Sequence, residues 1–305
     1  MTTPPALLIA GHGTRDEAGA EAFRDFVREL GRRHPELPVA GGFIELSPPP
    51  LGDAVTELVE RGVRRFAAVP LMLVSAGHAK GDIPAALSRE KERHPGISYT
   101  YGRPLGPHPA LLRVLERRLA EVVDPSWDPS EVTVLLVGRG STDPDANAEV
   151  FKAARLLWEG RGYAAVETAF VSLAEPDVPG GLDRCVRLGA RRVVVLPYFL
   201  FTGILPDRVR HQTEEWAAAH PETEVRSADV IGPEPELLDL VWERYEEAVK
   251  GDLRMNCDSC VYRIALPGFE DKVGLPQQPH FHPDDDGDHH HGHHHGHGHA
   301  HSHAH

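Results

Sequence analysis

Cysteine is scarce: Cys185, Cys257 and Cys260 are the 3 thiols in 305 residues. That is too few for a disulfide framework and fits a reducing compartment. Basic charge is also in deficit, with 32 Lys and Arg against 46 Asp and Glu and a formal net charge of −14. General nucleic-acid binding, which needs a basic surface to neutralise phosphates, is therefore excluded, although a local basic pocket is not. No apolar run approaches the roughly 20 residues of a membrane span, and Met1-Thr2-Thr3-Pro4-Pro5 lacks the basic and apolar regions of a secretory signal. The expectation is a cytoplasmic protein with neither nucleic-acid nor membrane partners. At 41% hydrophobic and 26% charged residues, the composition is otherwise ordinary for a globular α/β chain.

What is present is a duplication. Leu7-Leu8-Ile9-Ala10-Gly11-His12-Gly13-Thr14 matches Leu135-Leu136-Val137-Gly138-Arg139-Gly140-Ser141, so His12 falls opposite Arg139. At the same offset Phe43-Ile44-Glu45-Leu46 matches Phe170-Val171-Ser172-Leu173, and Glu45 falls opposite Ser172. Val69-Pro70-Leu71-Met72-Leu73 matches Leu196-Pro197-Tyr198-Phe199-Leu200, but the stretch holding His78 contracts in the second copy and leaves it no counterpart. Glycines, prolines and apolar runs kept by both copies serve a fold. His, Glu and His lost together from one copy would serve a single site.

Within the first copy, the apolar runs Ala6–Ala10, Val39–Leu46, Arg65–Leu73 and Ile97–Tyr101 read as strands buried on both faces. Helical spacing separates them at Ala18–His34, Leu51–Gly62, Ile83–His94 and Pro109–Val123. The second copy repeats this with strands Val132–Val137, Ala165–Leu173, Arg191–Leu200 and Val225–Val230. Its helices are Ala146–Gly160, Gly180–Leu188, Asp207–His220 and Pro235–Lys250. Such alternation predicts two tandem α/β domains with parallel sheets, spanning residues 1–124 and 131–251. A different tail follows over residues 252–305. His12, Glu45 and His78 then stand at the carboxyl edge of one sheet, where open α/β sheets bind ligands, beside a cleft between the copies.

Taken singly, each group has a plainer reading. Gly11-His12-Gly13-Thr14 could be a tight turn whose backbone binds an anion, His78 a surface residue, and Glu45 a carboxylate favoured by a helix N-terminus. Together they suit a divalent transition metal, with two imidazoles and a carboxylate around an accessible position.

At these residues the chain resembles a known family. Ala10-Gly11-His12-Gly13-Thr14-Arg15, Pro70-Leu71-Met72-Leu73, Gly77-His78, Asp82-Ile83-Pro84 and the degenerate Phe199-Leu200-Phe201-Thr202-Gly203 are similar to the sirohydrochlorin chelatases. These are the class II chelatases of CbiX and SirB type. The resemblance implies a lyase with two flavodoxin-like halves that inserts Co²⁺ or Fe²⁺ into sirohydrochlorin without ATP, in cobalamin or sirohaem biosynthesis. It maps the metal-binding and catalytic histidines onto His12 and His78, their acidic partner onto Glu45, and the macrocycle-lining loop onto Leu73, Val74, Ser75, Ala76 and Gly77. The tetrapyrrole carries eight carboxylates, for which Arg15 and Lys80 are the candidate receivers; a solvated charged face explains either as well. Arg103 is a weaker candidate.

The tail holds Met255-Asn256-Cys257-Asp258-Ser259-Cys260 and then a run dense in His, Asp and Gly from His280 to His305. It cannot bury a core and is expected to be disordered without metal. His289, His290, His291, His293, His294, His295, His297 and His299 read as a reservoir for divalent ions, weakening as imidazoles protonate below about pH 6.5. Cys257 and Cys260 fit an iron–sulfur ligand pair, transient metal handling or a disulfide. A four-cysteine cluster would need a second chain, as in a homodimer, or other ligands, or Cys185. An alternative function follows from this segment: a metal-storage or metal-delivery protein for which the folded part is scaffold.

Overall fold

The computed structural model describes residues 4–251 and 270–274. Strands β1 (Ala6–Gly11), β2 (Val39–Phe43), β3 (Arg65–Pro70) and β4 (Ser98–Tyr101) make one sheet. Strands β5 (Val132–Gly138), β6 (Ala165–Phe170), β7 (Arg192–Pro197) and β8 (Glu224–Ser227) make another. The orders are β2-β1-β3-β4 and β6-β5-β7-β8, all parallel, which is the flavodoxin order without its fifth strand. Between strands run α1 (Glu17–Arg33), α2 (Leu51–Glu60), α3 (Ile83–Arg93), α4 (Pro109–Val122), α5 (Pro144–Trp158), α6 (Val178–Arg187), α7 (Ile204–Ala219) and α8 (Pro235–Lys250). The tandem α/β architecture expected from the alternation is the one observed. Several helix starts are written locally: Asp16, Asp143 and Asp177 accept backbone N–H groups of α1, α5 and α6, and Pro occupies the first turn of α4, α5, α6 and α8.

Strand parity sorts the core into three bodies. Leu7 and Ile9 of β1 face inward with Val134 and Leu136 of β5, and all join one cluster with Phe26 of α1, Leu115 of α4, Val150 of α5 and Leu237 of α8. Leu8 and Ala10 face outward against Val55 of α2 and Leu87 of α3, while Leu135 and Val137 face Leu182 of α6 and Val209 of α7. The layers therefore run helix, sheet, helix, sheet, helix, and the middle layer belongs to both copies. Cys185 is part of the outer cluster of α6, fully buried, with its thiol pushed up to about 12 by desolvation. It is an inert core thiol.

The repeat does not reveal that the copies exchange their closing helices. Helix α8 packs on β3 and β4, and α4 packs on β7. Tyr245 on α8 donates its hydroxyl to the Pro5 carbonyl at 2.6 Å, and the buried Arg244 guanidinium donates to Pro104 O at 3.2 Å and Leu105 O at 3.0 Å. Reciprocally, Arg118 on α4 donates to Val230 O at 2.9 Å and Ile231 O at 3.0 Å.

Strands stop earlier than their apolar runs in both copies, β6, β7 and β8 of the second included. β2 ends at Phe43, not Leu46, and β3 ends at Pro70, not Leu73. Their partner β1 ends at Gly11, so Leu71 makes a last bond to Ala10 O at 2.8 Å and the chain then leaves the sheet. Residues 44–47 and 71–77 are thereby free to form the walls of the cleft. Cys257, Cys260 and the tail histidines, together with the expected disorder of that segment, lie outside the described residues.

Candidate active site

His12 is the first residue after β1. Gly13 follows with φ +108°, and a Cβ there would stand 1.8 Å from the Glu45 carbonyl oxygen, so glycine is what lets the two loops touch. Glu45 N donates to His12 O at 3.1 Å and ties the backbones of the two residues together. Leu46 takes a left-handed conformation, φ 64°, which costs a branched side chain about 1–2 kcal/mol. Leu173 repeats it at φ 62° where Ser172 replaces Glu45, so this strain belongs to the scaffold and not to the chemistry.

His78 is placed by a widened turn. Residues His78–Asp82 form one π-helical turn that runs into α3, with Ile83 N bonding to His78 O five residues back. In that register the Ala79 carbonyl would look to the N–H of residue 84, which is Pro84 and has none. The Tyr101 hydroxyl supplies the bond instead, at 2.7 Å, and burial raises its pKa. The same turn brings His78 Nδ1 within 2.6 Å of Asp82 Oδ2.

These elements converge. His12 and His78 rings meet edge to face with centroids 4.2 Å apart, and His12 Nε2 lies 3.5 Å from Glu45 Oε1. One ligand atom from each of His12, Glu45 and His78 falls within 4.8 Å of the others, and His12 Nε2, His78 Nε2 and Glu45 Oε1 are all buried atoms. Both tautomers follow from their acceptors. His78 Nδ1–H donates to the Asp82 carboxylate and His12 Nδ1–H to the Gly13 carbonyl at 3.1 Å, leaving each Nε2 as the nitrogen that carries the lone pair. Two imidazoles and a carboxylate so placed could hold a borderline transition metal.

Asp82, quoted in the sequence only as part of the Asp82-Ile83-Pro84 motif and given no role there, is the further residue that touches this cluster. The His-x-x-x-Asp spacing was its signal, but it gains meaning only from the π turn. Asp82→Ala is expected to weaken Co²⁺ binding about 10- to 100-fold, the usual cost of losing a partner that orients an imidazole ligand. Isothermal titration with Co²⁺ alone checks this, and an unchanged affinity would remove Asp82 from the site.

The site opens into a cleft of about 350 Å³ between the copies, lined on one side by His12, Leu73 and Val74 and on the other by Arg139, Tyr198 and Phe201. Arg15, Ala76 and His78 also line it. Ser75 is turned the other way, its N–H bound to Glu149 Oε2 of α5 at 2.9 Å, which moors the 73–77 loop to the second copy. Desolvation raises the Glu149 pKa against that bond.

Lys80 requires a correction. It does not reach the cleft: its ammonium is buried between the copies, 2.7 Å from Asp143 Oδ2 and 2.9 Å from Asp145 Oδ2 at the start of α5. Two residues along the π turn from His78, its side chain leaves on the side facing α5, where two carboxylates outweigh the cost of burial. Arg103 likewise forms a two-pronged pair with Glu247 of α8, at 2.9 and 2.7 Å.

Comparison with known proteins gives a consistent picture. The CbiX family model matches residues 6–122 and 133–248. A sirohydrochlorin cobaltochelatase of Priestia megaterium is 39% identical over 265 residues, covering 86% of this chain and 85% of that one. A sirohydrochlorin ferrochelatase of the same organism is 36% identical over 213 residues, covering 69% and 78%. Among solved structures, SirB from Bacillus subtilis with Fe³⁺ superposes with a TM-score of 0.70 at 28% identity, covering 82% of this chain and 97% of that one. Among the described residues no helix is long and apolar enough to cross a membrane.

Proposed function

Because this chain belongs to the CbiX family, we propose that it is a sirohydrochlorin chelatase, a lyase that inserts a divalent ion into the tetrapyrrole without ATP. The observation that carries this reading is the meeting of His12, Glu45 and His78, one ligand atom from each within 4.8 Å of the others, at the edge of one cleft. The named relatives act on sirohydrochlorin with cobalt or iron, and either ion accepts imidazole and carboxylate ligands. Cobalt is the preferred assignment, because the histidine-rich tail suits a Co²⁺ reservoir and the cobaltochelatase relative covers most of the chain.

Metallation has to strip water from the ion, present it to one face of the macrocycle and remove two pyrrole protons. Nitrogen and oxygen ligands hold the ion firmly enough to desolvate it and weakly enough to release it, where thiolates would retain it. As each metal–pyrrole bond forms, an Nε2 is released from the ion and becomes a base for the pyrrole proton, so His12 and His78 alternate between ligand and acceptor. Asp82 stabilises the imidazolium of His78, and Glu45 offsets the charge of the ion or carries a proton onward. Residues 73–77 and the facing wall of the second copy would hold the macrocycle over the ion. The low cysteine content fits a cytoplasmic setting.

The test is an anaerobic absorbance assay of sirohydrochlorin turnover with Co²⁺ and Fe²⁺ in competition, on the full chain and on a chain lacking residues 252–305. We expect turnover above the spontaneous rate from both at ample Co²⁺, with the shortened chain falling behind when the ion is scarce. A storage or delivery protein would lose its activity with the tail and would not accelerate metallation.

A further inference from the structure

The second copy rebuilds the active-site turn without its ligands. Gly140 has φ +88° and would place a Cβ 1.8 Å from Ser172 O, as Gly13 would from Glu45 O. Ser172 N bonds to Arg139 O at 3.0 Å, as Glu45 N does to His12 O at 3.1 Å. Arg139 therefore leaves the end of β5 as His12 leaves the end of β1, and both residues line the same cleft. Its neighbour in place of Glu45 is neutral, Ser172, whose hydroxyl donates to Arg139 O at 3.3 Å.

This substitution inverts the chemistry of the turn. A guanidinium has five donors, no lone pair for a metal and a charge that persists at any pH where a protein folds. It repels a dication and attracts a carboxylate. Arg139 is half-buried in a cleft whose lining includes Val150 and Leu200, so its field is screened less than that of the exposed Arg15. The turn that bears it is held firm, since Ser141 N donates to Asn147 Oδ1 at 2.9 Å and Asn147 Nδ2 donates to Ser141 O at 2.8 Å. The first copy cannot perform this task with the same position, because its imidazole is committed to the ion.

We infer that Arg139 anchors a carboxylate of the tetrapyrrole on the wall opposite the metal ligands, fixing the edge by which the macrocycle sits in the cleft. The inference rests on the reading of the cleft as a sirohydrochlorin site. Arg139 is a substrate-binding residue on this account, and the former metal position has become an anion position that also turns the ion away.

Metal-free sirohydrochlorin titrated by absorbance into the wild type, Arg139→Gln and Arg139→Lys tests this, with Co²⁺ alone titrated in parallel. The Gln variant should bind the tetrapyrrole about tenfold or more weakly, the scale of a lost charged hydrogen bond, with a flatter dependence on salt. The Lys variant should fall between, keeping charge without the fork. Co²⁺ affinity should not fall in either, and in the Gln variant, which no longer repels a dication, it should stay level or rise. Wild-type tetrapyrrole affinity in the Gln variant would overturn the inference; should that variant not fold, wild-type affinity in the Lys variant would do the same. A wild-type protein that binds Co²⁺ but no sirohydrochlorin would instead bring down the functional reading beneath it.

Discussion

Replacing His12 and His78 together by alanine is expected to return sirohydrochlorin metallation to its spontaneous rate, a loss of about 10²- to 10⁴-fold if base catalysis alone is removed. The two rings touch at 4.2 Å, so one ion or one proton is served by both, and the single variants should each lose nearly as much as the pair. Co²⁺ binding should disappear with activity, while circular dichroism keeps the wild-type fold, although truncating the buried His78 ring should lower the melting temperature by a few degrees. Undiminished metallation by the double variant would eliminate this site. Glu45→Gln is a milder change: it keeps an oxygen ligand and removes the charge, so it should lower activity by less than either histidine change.

The second large effect concerns stability. Lys80→Met is expected to cost about 3–5 kcal/mol, because it strands the buried carboxylates of Asp143 and Asp145 without their cation. Against a total of about 5–15 kcal/mol for a folded domain, that is at least about a fifth of the margin. Exposed pairs such as Arg28 with Asp25 on α1 offer no comparable lever, since water screens them. The urea midpoint measures the loss, and adding Asp143→Asn and Asp145→Asn to Lys80→Met should recover much of it. A single variant as stable as wild type would mean that water already reaches the triad.

The pH dependence has a definite sign. Burial pushes the Lys80 ammonium down, but its bonds to Asp143 and Asp145 prevail and the net shift is upward from 10.5. The stabilisation is therefore complete below about pH 10.5 and is lost as pH climbs through the higher folded value. Above that pH the wild type should lose stability more steeply than Lys80→Met.

How far the sequence reached depended on whether a signal was local. Strands such as Leu7–Ala10 are buried on both faces and read directly from their apolar runs. His12, Glu45 and His78 stood out as candidate ligands because the second copy lacked them, and their positions at strand ends needed no more than the alternation. Strand ends were overrun at Leu46 and Leu73 because hydropathy continues where the partner strand has stopped, and those residues face a cleft instead of a sheet. Helix α7 starts at Ile204, ahead of the expected Asp207, because Pro206 is tolerated in a first turn that needs no N–H there. Lys80 was misread because its partners are 63 and 65 residues away in the other copy. Asp82 was given no role because its contact with His78 depends on a turn register that spacing alone does not declare.

The exchange of α4 and α8 sets how the molecule can move. A pair of lobes joined by a single linker could swing apart like a clamshell to admit a flat ligand. Here each lobe is latched by the other's last helix, through buried contacts such as Tyr245 to Pro5 and Arg244 to Leu105. Hinge bending would have to undock both latches at once. Admission of a macrocycle therefore falls to the rim at residues 199–203, while the jaw that carries His12, Glu45 and His78 and the jaw that faces them keep a fixed gape.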